Sequence, residues 1–290
     1  MENYTLRYSD IRKPNSLRAK ARNLALNVLI FKQNLKGIEK YLVVPRIQFL
    51  YIHHAFADEL TQLDQLMQVL SKYHTFISHS EAVERILNNQ IDKPYIVLST
   101  DDGFKNNIAA AQIFNKYNAK ACFFINPGLI DEHDFETIKT HCKVKLHLPP
   151  VEFLTWQDVN ELLAQGHEIG AHTMYHDNIA NMSEQAIEED MKLSYEILNK
   201  NCGPVKHFAF PYGRFSHFNK TGKELVFKVG YQTCSSAERG CHIPSSSELN
   251  QKDLCIRRDH VILDWPMDHI IYFLVNNVKN RSEKNNYFPY

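Results

Sequence analysis

The chain has 290 residues, 44% of them apolar and 23% charged, which allows a full core in one large domain or two smaller ones. Its 33 basic and 33 acidic residues balance, so the net charge gives no argument for a nucleic-acid partner. The charged N-terminus does not resemble a secretory signal, and no apolar run approaches the ~18 residues of a membrane span. The six cysteines contain no Cys-x-x-Cys pair, and we therefore expect a reduced, cytoplasmic protein.

Residues 1–45 are predicted to form a basic helical extension before the main domain, residues 46–290. The first 40 residues hold nine basic side chains and three acidic ones. After an irregular leader and Pro14, apolar residues recur at helical spacing: Leu17, Ala21, Leu24, Ala25 and Val28. The helix either packs on the main domain with a solvated basic face, or it is attracted to anionic lipid head groups and gives peripheral membrane association.

Strand and helix patterns alternate through most of the main domain, without an internal repeat or a Ser/Gly linker. Strands are predicted at residues 46–54, 76–77, 95–98, 121–125, 167–171, 207–210, 231–234 and 254–258. Helices are predicted at residues 58–73, 80–87, 109–117, 155–166, 183–199, 221–229 and 267–278. Residues 131–154 fit neither pattern and are interpreted as an insertion or a long loop. The alternation predicts one α/β domain of parallel strands, closed or nearly closed into a barrel.

Two adjacent carboxylates, Asp101 and Asp102, follow the apolar strand that ends near Leu98. Adjacent carboxylates at the end of a buried strand repel each other and resist desolvation, so a cation or a proton must lie between them. The alternative is an ordinary solvated Asp-Asp-Gly turn.

Other polar residues also follow predicted strands, where a parallel barrel carries its active site: His53, His54, His172, His176, the Pro211-Tyr-Gly213 turn and Arg258. His172 and His176, together with a carboxylate from the end of another strand, predict a two-histidine, one-carboxylate site for a divalent metal. Hydrogen-bonded loop histidines are the alternative interpretation.

These motifs resemble those of the polysaccharide deacetylase family, carbohydrate esterase family 4, whose shared part is the NodB homology domain. The family's Thr-Phe-Asp-Asp-Gly corresponds to Ser99-Thr-Asp-Asp-Gly103, its His-Ser/Thr-x-x-His to His172-Thr-Met-Tyr-His176, and its Arg-x-Pro-Tyr-Gly to Ala209-Phe-Pro-Tyr-Gly213. The resemblance covers residues 47–275, with the three motifs in the family's order. It implies a distorted (β/α) barrel of about seven parallel strands, to which this chain adds an N-terminal helix.

The resemblance also implies roles for the motif residues. Asp101 would be the general base, and Asp102 would bind a divalent metal, most often zinc, together with His172 and His176. The turn at Pro211 and Tyr212 would contact the substrate, and the Tyr212 N–H would stabilise the oxyanion. A metal at this position would acidify a water for attack on an amide or ester carbonyl.

The chain departs from the family pattern at two positions. Ala209 replaces the motif arginine that orients the base, and Arg258 is the candidate substitute, unless it is a surface arginine paired with Asp259. The late motif that supplies the general acid is missing as well. An early-strand histidine takes that place in a permuted subgroup, which indicates His53 as the acid, with His54 as the second choice.

The resemblance therefore implies a metal-dependent hydrolase that removes N-acetyl or O-acetyl groups from a sugar or glycan precursor. Two alternatives stay open. One is hydrolysis of a non-sugar amide, with residues 131–154 reshaping the cleft. The other is a catalytically silent carbohydrate-binding protein, against which the intact Asp101, Asp102, His172 and His176 argue.

Overall fold

The structure is a computed structural model that describes residues 3–11, 17–35 and 37–290. The first two residues of the predicted extension, residues 1–45, lie outside the described part, as does Pro14, where its helix was predicted to begin. In the described part of the chain, no helix is both long enough and apolar enough to cross a membrane.

Helices and strands alternate as predicted. The α-helices are α1 Leu17–Asn34, α2 Glu39–Leu42, α3 Leu60–Ser71, α4 His79–Leu87, α5 Asn107–Lys116, α6 Phe135–His141, α7 Trp156–Ala164, α8 Glu184–Cys202, α9 Lys220–Val229 and α10 Met267–Lys279. The strands are β1 Arg46–Ile52, β2 Thr75–Phe76, β3 Pro94–Thr100, β4 Ala121–Ile125, β5 Glu168–Ala171, β6 His207–Ala209, β7 Thr233–Ser235, β8 Cys255–Ile256 and β9 Arg258–His260. Short 3₁₀ turns lie at Tyr8–Asp10, Pro127–Leu129, Ile179–Asn181, Phe215–His217, Gln251–Asp253 and Glu283–Asn286.

The strands form one parallel sheet in the order β8-β7-β6-β5-β4-β3-β1-β9, with β2 paired to β3. The predicted last strand is divided at Arg257: β8 pairs with β7, whereas β9 pairs with β1 at the other edge. One continuous segment therefore joins the two edges and nearly closes the barrel. The predicted α/β barrel is confirmed, although the division of the last strand and the short β2 bring the count to nine strands among the described residues.

Apolar side chains of the helices cover the barrel. Every residue of β1 is buried, as expected for a parallel strand with both faces covered. α3 buries Leu63, Leu66, Met67 and Leu70, which form one face at helical spacing. A capping box is present at the start of α7, where the Thr155 side chain accepts from the Asp158 N–H.

Residues 131–154 are more ordered than a long loop. They contain α6, which continues into a five-residue π-helical segment, Cys142–Leu146. Extended residues then return to the motif region, where the Leu154 N–H donates to the Gly103 carbonyl at 2.9 Å. The long-loop alternative for this segment was therefore wrong, whereas its interpretation as an insertion stays a prediction. The pattern did not indicate the helix because it is short and has few apolar positions.

The extension forms a long helix, as predicted, but packs through a different side. α1 buries Ile30 and Gln33, and Asn27 hydrogen-bonds His269 of α10 at 3.0 Å. Leu17 and Leu24, which were assigned to the apolar side, are 86% and 68% exposed. Because α1 is apolar on both sides, sequence periodicity could not show which side contacts the protein.

Candidate functional site

Most of the polar residues singled out in the sequence follow the carboxyl ends of the barrel strands, as the fold predicts, whereas Arg258 is the first residue of β9. β3 leads directly into Asp101 and Asp102, and β5 leads into His172. The Asp101 N–H donates to the Ile52 carbonyl at 3.1 Å, which fixes the end of β3 beside His53. Strand pairing therefore brings together side chains that are far apart in the sequence.

Asp102, His172 and His176 converge in the interior. Oδ1 of Asp102 lies 3.6 Å from Nε2 of His172 and 3.4 Å from Nε2 of His176. All three residues are buried, and one donor atom of each lies within 4.8 Å of the others. Two imidazoles and one carboxylate suit a borderline divalent cation such as zinc, with coordination positions left for other ligands.

The hydrogen bonds of these three candidate metal ligands are those expected around a cation. Nδ1 of His172 lies 2.8 Å from the Ala209 carbonyl, to which it donates, and this directs the Nε2 lone pair toward Asp102. Oδ1 of Asp102 is buried without a hydrogen-bond partner among the described residues. A buried carboxylate oxygen in this condition is costly unless a cation binds it.

The pKa shifts of these three residues also indicate a cation site. Burial lowers the pKa of His172, and burial together with the neighbouring His172 lowers the pKa of His176 well below its usual value. Both imidazoles are therefore neutral, as metal ligands must be. Burial and the Asp101 charge raise the pKa of Asp102 well above its usual range, so this carboxyl requires either a proton or a cation.

Three of the site residues have strained backbones. Asp102, His176 and Tyr212 all have left-handed backbones, with φ of 73°, 58° and 60°. Each such non-glycine residue costs about 1 kcal/mol or more, and the surroundings must hold it. The Asp190 carboxylate of α8 does so for the histidine turn, because it accepts from the Met174 N–H at 3.1 Å and 3.2 Å.

Arg258 holds the first carboxylate of the pair. Its guanidinium donates to both oxygens of Asp101, at 2.6 Å and 2.9 Å, and both side chains are buried. Burial is the largest influence and opposes ionisation of Asp101, but the charge and hydrogen bonds of Arg258, together with the nearby His172 and His53, lower the pKa of Asp101 overall. Arg258 is thus a buried partner of Asp101 and not a surface residue paired with Asp259. The Asp259 carboxylate is buried as well and accepts a hydrogen bond from Asn277 at 2.6 Å.

Ala209 occupies the position of the family's arginine. Its methyl group belongs to a small buried cluster with Cys122 and Phe124. The Arg258 guanidinium lies over the Phe124 ring, 4.8 Å from the ring centroid, and 4.7 Å from that of Tyr51. The arginine of β9 therefore reaches the region that faces Ala209, with two aromatic rings beside its charge.

The two histidines after β1 have different partners. Nδ1 of His53 lies 3.0 Å from Nε2 of His260, and the His260 ring stacks on Tyr51. Nδ1 of His54 instead lies 3.0 Å from the Glu59 carboxylate. His260 was not predicted from the sequence, although it lies two residues after Arg258 and therefore on the same side of a strand.

The turn after β6 brings Tyr212 next to the metal-ligand histidines. The Tyr212 ring lies 4.7 Å from the ring of His176, and its hydroxyl donates to the Lys145 carbonyl at 3.2 Å. Gly213 has φ 65°, and a Cβ there would lie 2.1 Å from the Cβ of Ala237, so only glycine fits. Pro211 is buried in the same turn.

These residues line a cleft with a volume of about 950 Å³. This is large enough for one or two sugar units, since small-molecule pockets are roughly 300–1,000 Å³. One wall is the 145–149 segment, and another includes Tyr8, Arg22 and Asn23 from the extension. Sequence reasoning missed these N-terminal contributions because no local pattern marks them.

Comparisons with known proteins agree with this geometry. The sequence model of the polysaccharide deacetylase family matches residues 88–234, just over half of the chain. No curated protein sequence matches the chain.

Several solved structures share the fold. IcaB from Ammonifex degensii is 18% identical, with a TM-score of 0.63 over 80% of this chain and 98% of that chain. The Streptococcus pyogenes deacetylase PplD, in complex with acetate, is 20% identical, with a TM-score of 0.60 over 80% and 98%. A de-N-acetylase from Aggregatibacter actinomycetemcomitans is 17% identical, with a TM-score of 0.63 over 79% and 99%. The family match spans both carboxylates, both histidines and the Pro-Tyr-Gly turn, and the chain belongs to the polysaccharide deacetylase family.

Proposed function

We propose that the protein is a metal-dependent hydrolase that removes the acetyl group from an N-acetylated sugar within a glycan or glycan precursor. The observation that carries the proposal is the convergence of Asp102, His172 and His176 beside an Asp101 carboxylate held by Arg258. Family membership supports an acetylated carbohydrate as the substrate.

Asp102, His172 and His176 would hold the cation, and their two nitrogens and one oxygen favour zinc. A divalent metal there supplies a Lewis acid that polarises the acetyl carbonyl and lowers the pKa of water. The chain's own contribution is to keep the two imidazoles neutral and to bring an otherwise unpaired carboxylate to the same point.

Asp101 would act as the general base. Its low pKa keeps it ionised at neutral pH, and its position next to Asp102 lets it accept the proton of the attacking water. Arg258 is a positioning residue in this scheme, because it donates to both Asp101 oxygens and fixes the carboxylate plane.

His53 would deliver a proton to the leaving nitrogen. Burial lowers the pKa of His53 to about 4, so the imidazole is neutral at rest. Negative charge that develops on the tetrahedral adduct raises the proton affinity of His53, which would take up a proton from solvent at that stage, pass it to the leaving nitrogen and return to its neutral form. His260 orients His53 through the 3.0 Å contact between their ring nitrogens.

Tyr212 and Pro211 would complete the site. The turn that contains them lines the cleft beside His176, and the Tyr212 N–H would stabilise the oxyanion. The strained backbone of Tyr212 supports this role, because such strain is held where it orients a functional group.

The free thiols of all six cysteines, five of which are buried, support a reducing compartment, and we propose the cytoplasm. The direct test of the function is acetate release from a panel of N-acetylated glycans and sugar nucleotides, with and without a chelator. Release that the chelator abolishes supports the proposal. A lack of chelator-sensitive release from every member contradicts it and favours a non-sugar amide or a silent carbohydrate-binding role.

A further inference from the structure

The outer side of α1 is an apolar stripe. It is formed by Leu17, Leu24, Val28 and Phe31 of the helix and by Leu35 just after its end. Successive members of this stripe are seven, four, three and four positions apart. Their exposed fractions run from 48% to 86%. This spacing places all five on one side of a helix. Five large apolar side chains on one solvent-facing side indicate a contact with something outside the barrel.

The stripe is not needed to attach α1 to the protein. The opposite side carries Ile30 and Gln33, which are 8% and 5% exposed, and the Asn27–His269 hydrogen bond. The helix is thus already fixed to α10, and no described residue covers its outer side, which can bind a second surface.

The charge around the stripe identifies that surface. α1 contains no acidic residue, and at about 100° per residue Lys20 and Lys32 lie roughly 60° to either side of the stripe. Apolar side chains flanked by lysines match a bilayer with anionic lipids, where apolar groups enter the acyl boundary and ammonium groups meet phosphates. A second copy of the same cationic helix would bring like charges together and is disfavoured.

The stripe is also connected to the active-site cleft. Arg22 and Asn23, on the same helix, line the cleft, and the Arg22 guanidinium lies 5.5 Å from the ring centroid of Trp265 at its edge. At about 100° per residue, Arg22 and Asn23 lie roughly 120–140° from the stripe, so a helix lying in the interface would hold the cleft on its far side, one helix diameter (~10 Å) from the lipid.

We propose that α1 docks the protein on an anionic bilayer surface through the apolar stripe, so that the cleft receives a glycan anchored in that membrane. The docking follows from the exposure and charge of α1 alone. The choice of glycan rests on the proposed deacetylase function.

Vesicle flotation tests the docking without any need for activity. The full chain is mixed with vesicles of phosphatidylcholine alone or with about one third phosphatidylglycerol. We expect binding to the anionic vesicles that weakens with added salt. The double variant Leu24→Glu with Phe31→Glu should reduce the bound fraction roughly tenfold or more, since it places two charges in the acyl boundary. The matched control, Leu193→Glu, changes a leucine on α8 that is 48% exposed and should bind like the unmodified chain.

Two results would overturn the inference. One is the absence of binding to either vesicle by a chain whose circular dichroism shows it folded. The other is a dimer in light scattering that the stripe variant dissociates, because a second copy would then cover the stripe. Acetate release from a soluble N-acetylated glycan, measured on the same samples, separates the two proposals. A variant that loses vesicle binding but keeps soluble turnover leaves the deacetylase function intact.

Discussion

The contact between Arg258 and Asp101 gives a prediction whose size follows from the structure. Arg258→Gln removes a buried guanidinium and leaves the Asp101 carboxylate unpaired in the interior. Loss of one partner of a buried pair typically costs about 3–5 kcal/mol, and two charge-assisted hydrogen bonds are lost here. The same change should lower kcat by roughly a hundredfold or more, because an unpaired Asp101 takes up a proton near neutral pH and no longer acts as a base.

A double-mutant cycle isolates this pair from the other contacts of Arg258. The guanidinium also donates to the Ser236 carbonyl at 3.1 Å and lies over Tyr51, and those contacts are lost in both the single and the double variant. Urea unfolding of the native chain, Asp101→Asn, Arg258→Gln and the double variant should give a coupling free energy of about 2–3 kcal/mol. A coupling below about 0.5 kcal/mol would refute the argument that the two buried charges stabilise each other.

Three further predictions follow from the site and its surroundings. His53→Gln should lower turnover by roughly 10²–10⁴-fold while the bound zinc, measured by atomic emission, stays unchanged. Chelator treatment should abolish acetate release, and added zinc should restore it. Below pH 6.5 the protein should become acid-labile, because burial and then the Arg46 charge lower the pKa of His74 to about 4. Stability from the neutral His74 is present above pH 6.5 and is lost as the pH falls toward 4. At pH 4 the loss in the free energy of unfolding should be about 3 kcal/mol, measured by urea unfolding.

Each of these has a control and a contrary result. His54→Gln should change turnover only a few-fold, and near-normal turnover in His53→Gln would remove His53 from the mechanism. If chelated protein without metal keeps its activity, the metal assignment is wrong. His74→Gln should reduce the dependence of unfolding free energy on pH between 6.5 and 4 by about 3 kcal/mol, since its amide does not titrate, and leave the part that His53 and the other buried histidines contribute. An unchanged slope in that variant would assign the lability to other groups.

Much of the site could be predicted because its residues follow strands in a fixed motif order. Asp101, Asp102, His172 and His176 were singled out in this way, and strand pairing places them together. Arg258 could be singled out only because Ala209 stands at the position of the family's arginine. A later arginine was therefore needed to take over its role.

The remaining features depend on contacts that no local pattern encodes. His260 reaches His53 across 207 positions of sequence, through the pairing of β9 with β1. The outer side of α1 was misassigned because the helix has apolar residues on both sides, so that periodicity predicts a helix without indicating its orientation. The cleft wall from Tyr8 and Arg22 likewise depends on how the extension lies against the barrel.

The division of the last strand at Arg257 has a consequence for how the protein matures. β9 supplies both Arg258, the partner of Asp101, and His260, the partner of His53, and it does so only by joining the edge at β1. During synthesis, the motif residues emerge long before this strand leaves the ribosome. We therefore expect a nascent chain that ends before residue 258 to carry the metal-ligand residues yet remain inert. The proposed deacetylation would therefore require the closed barrel.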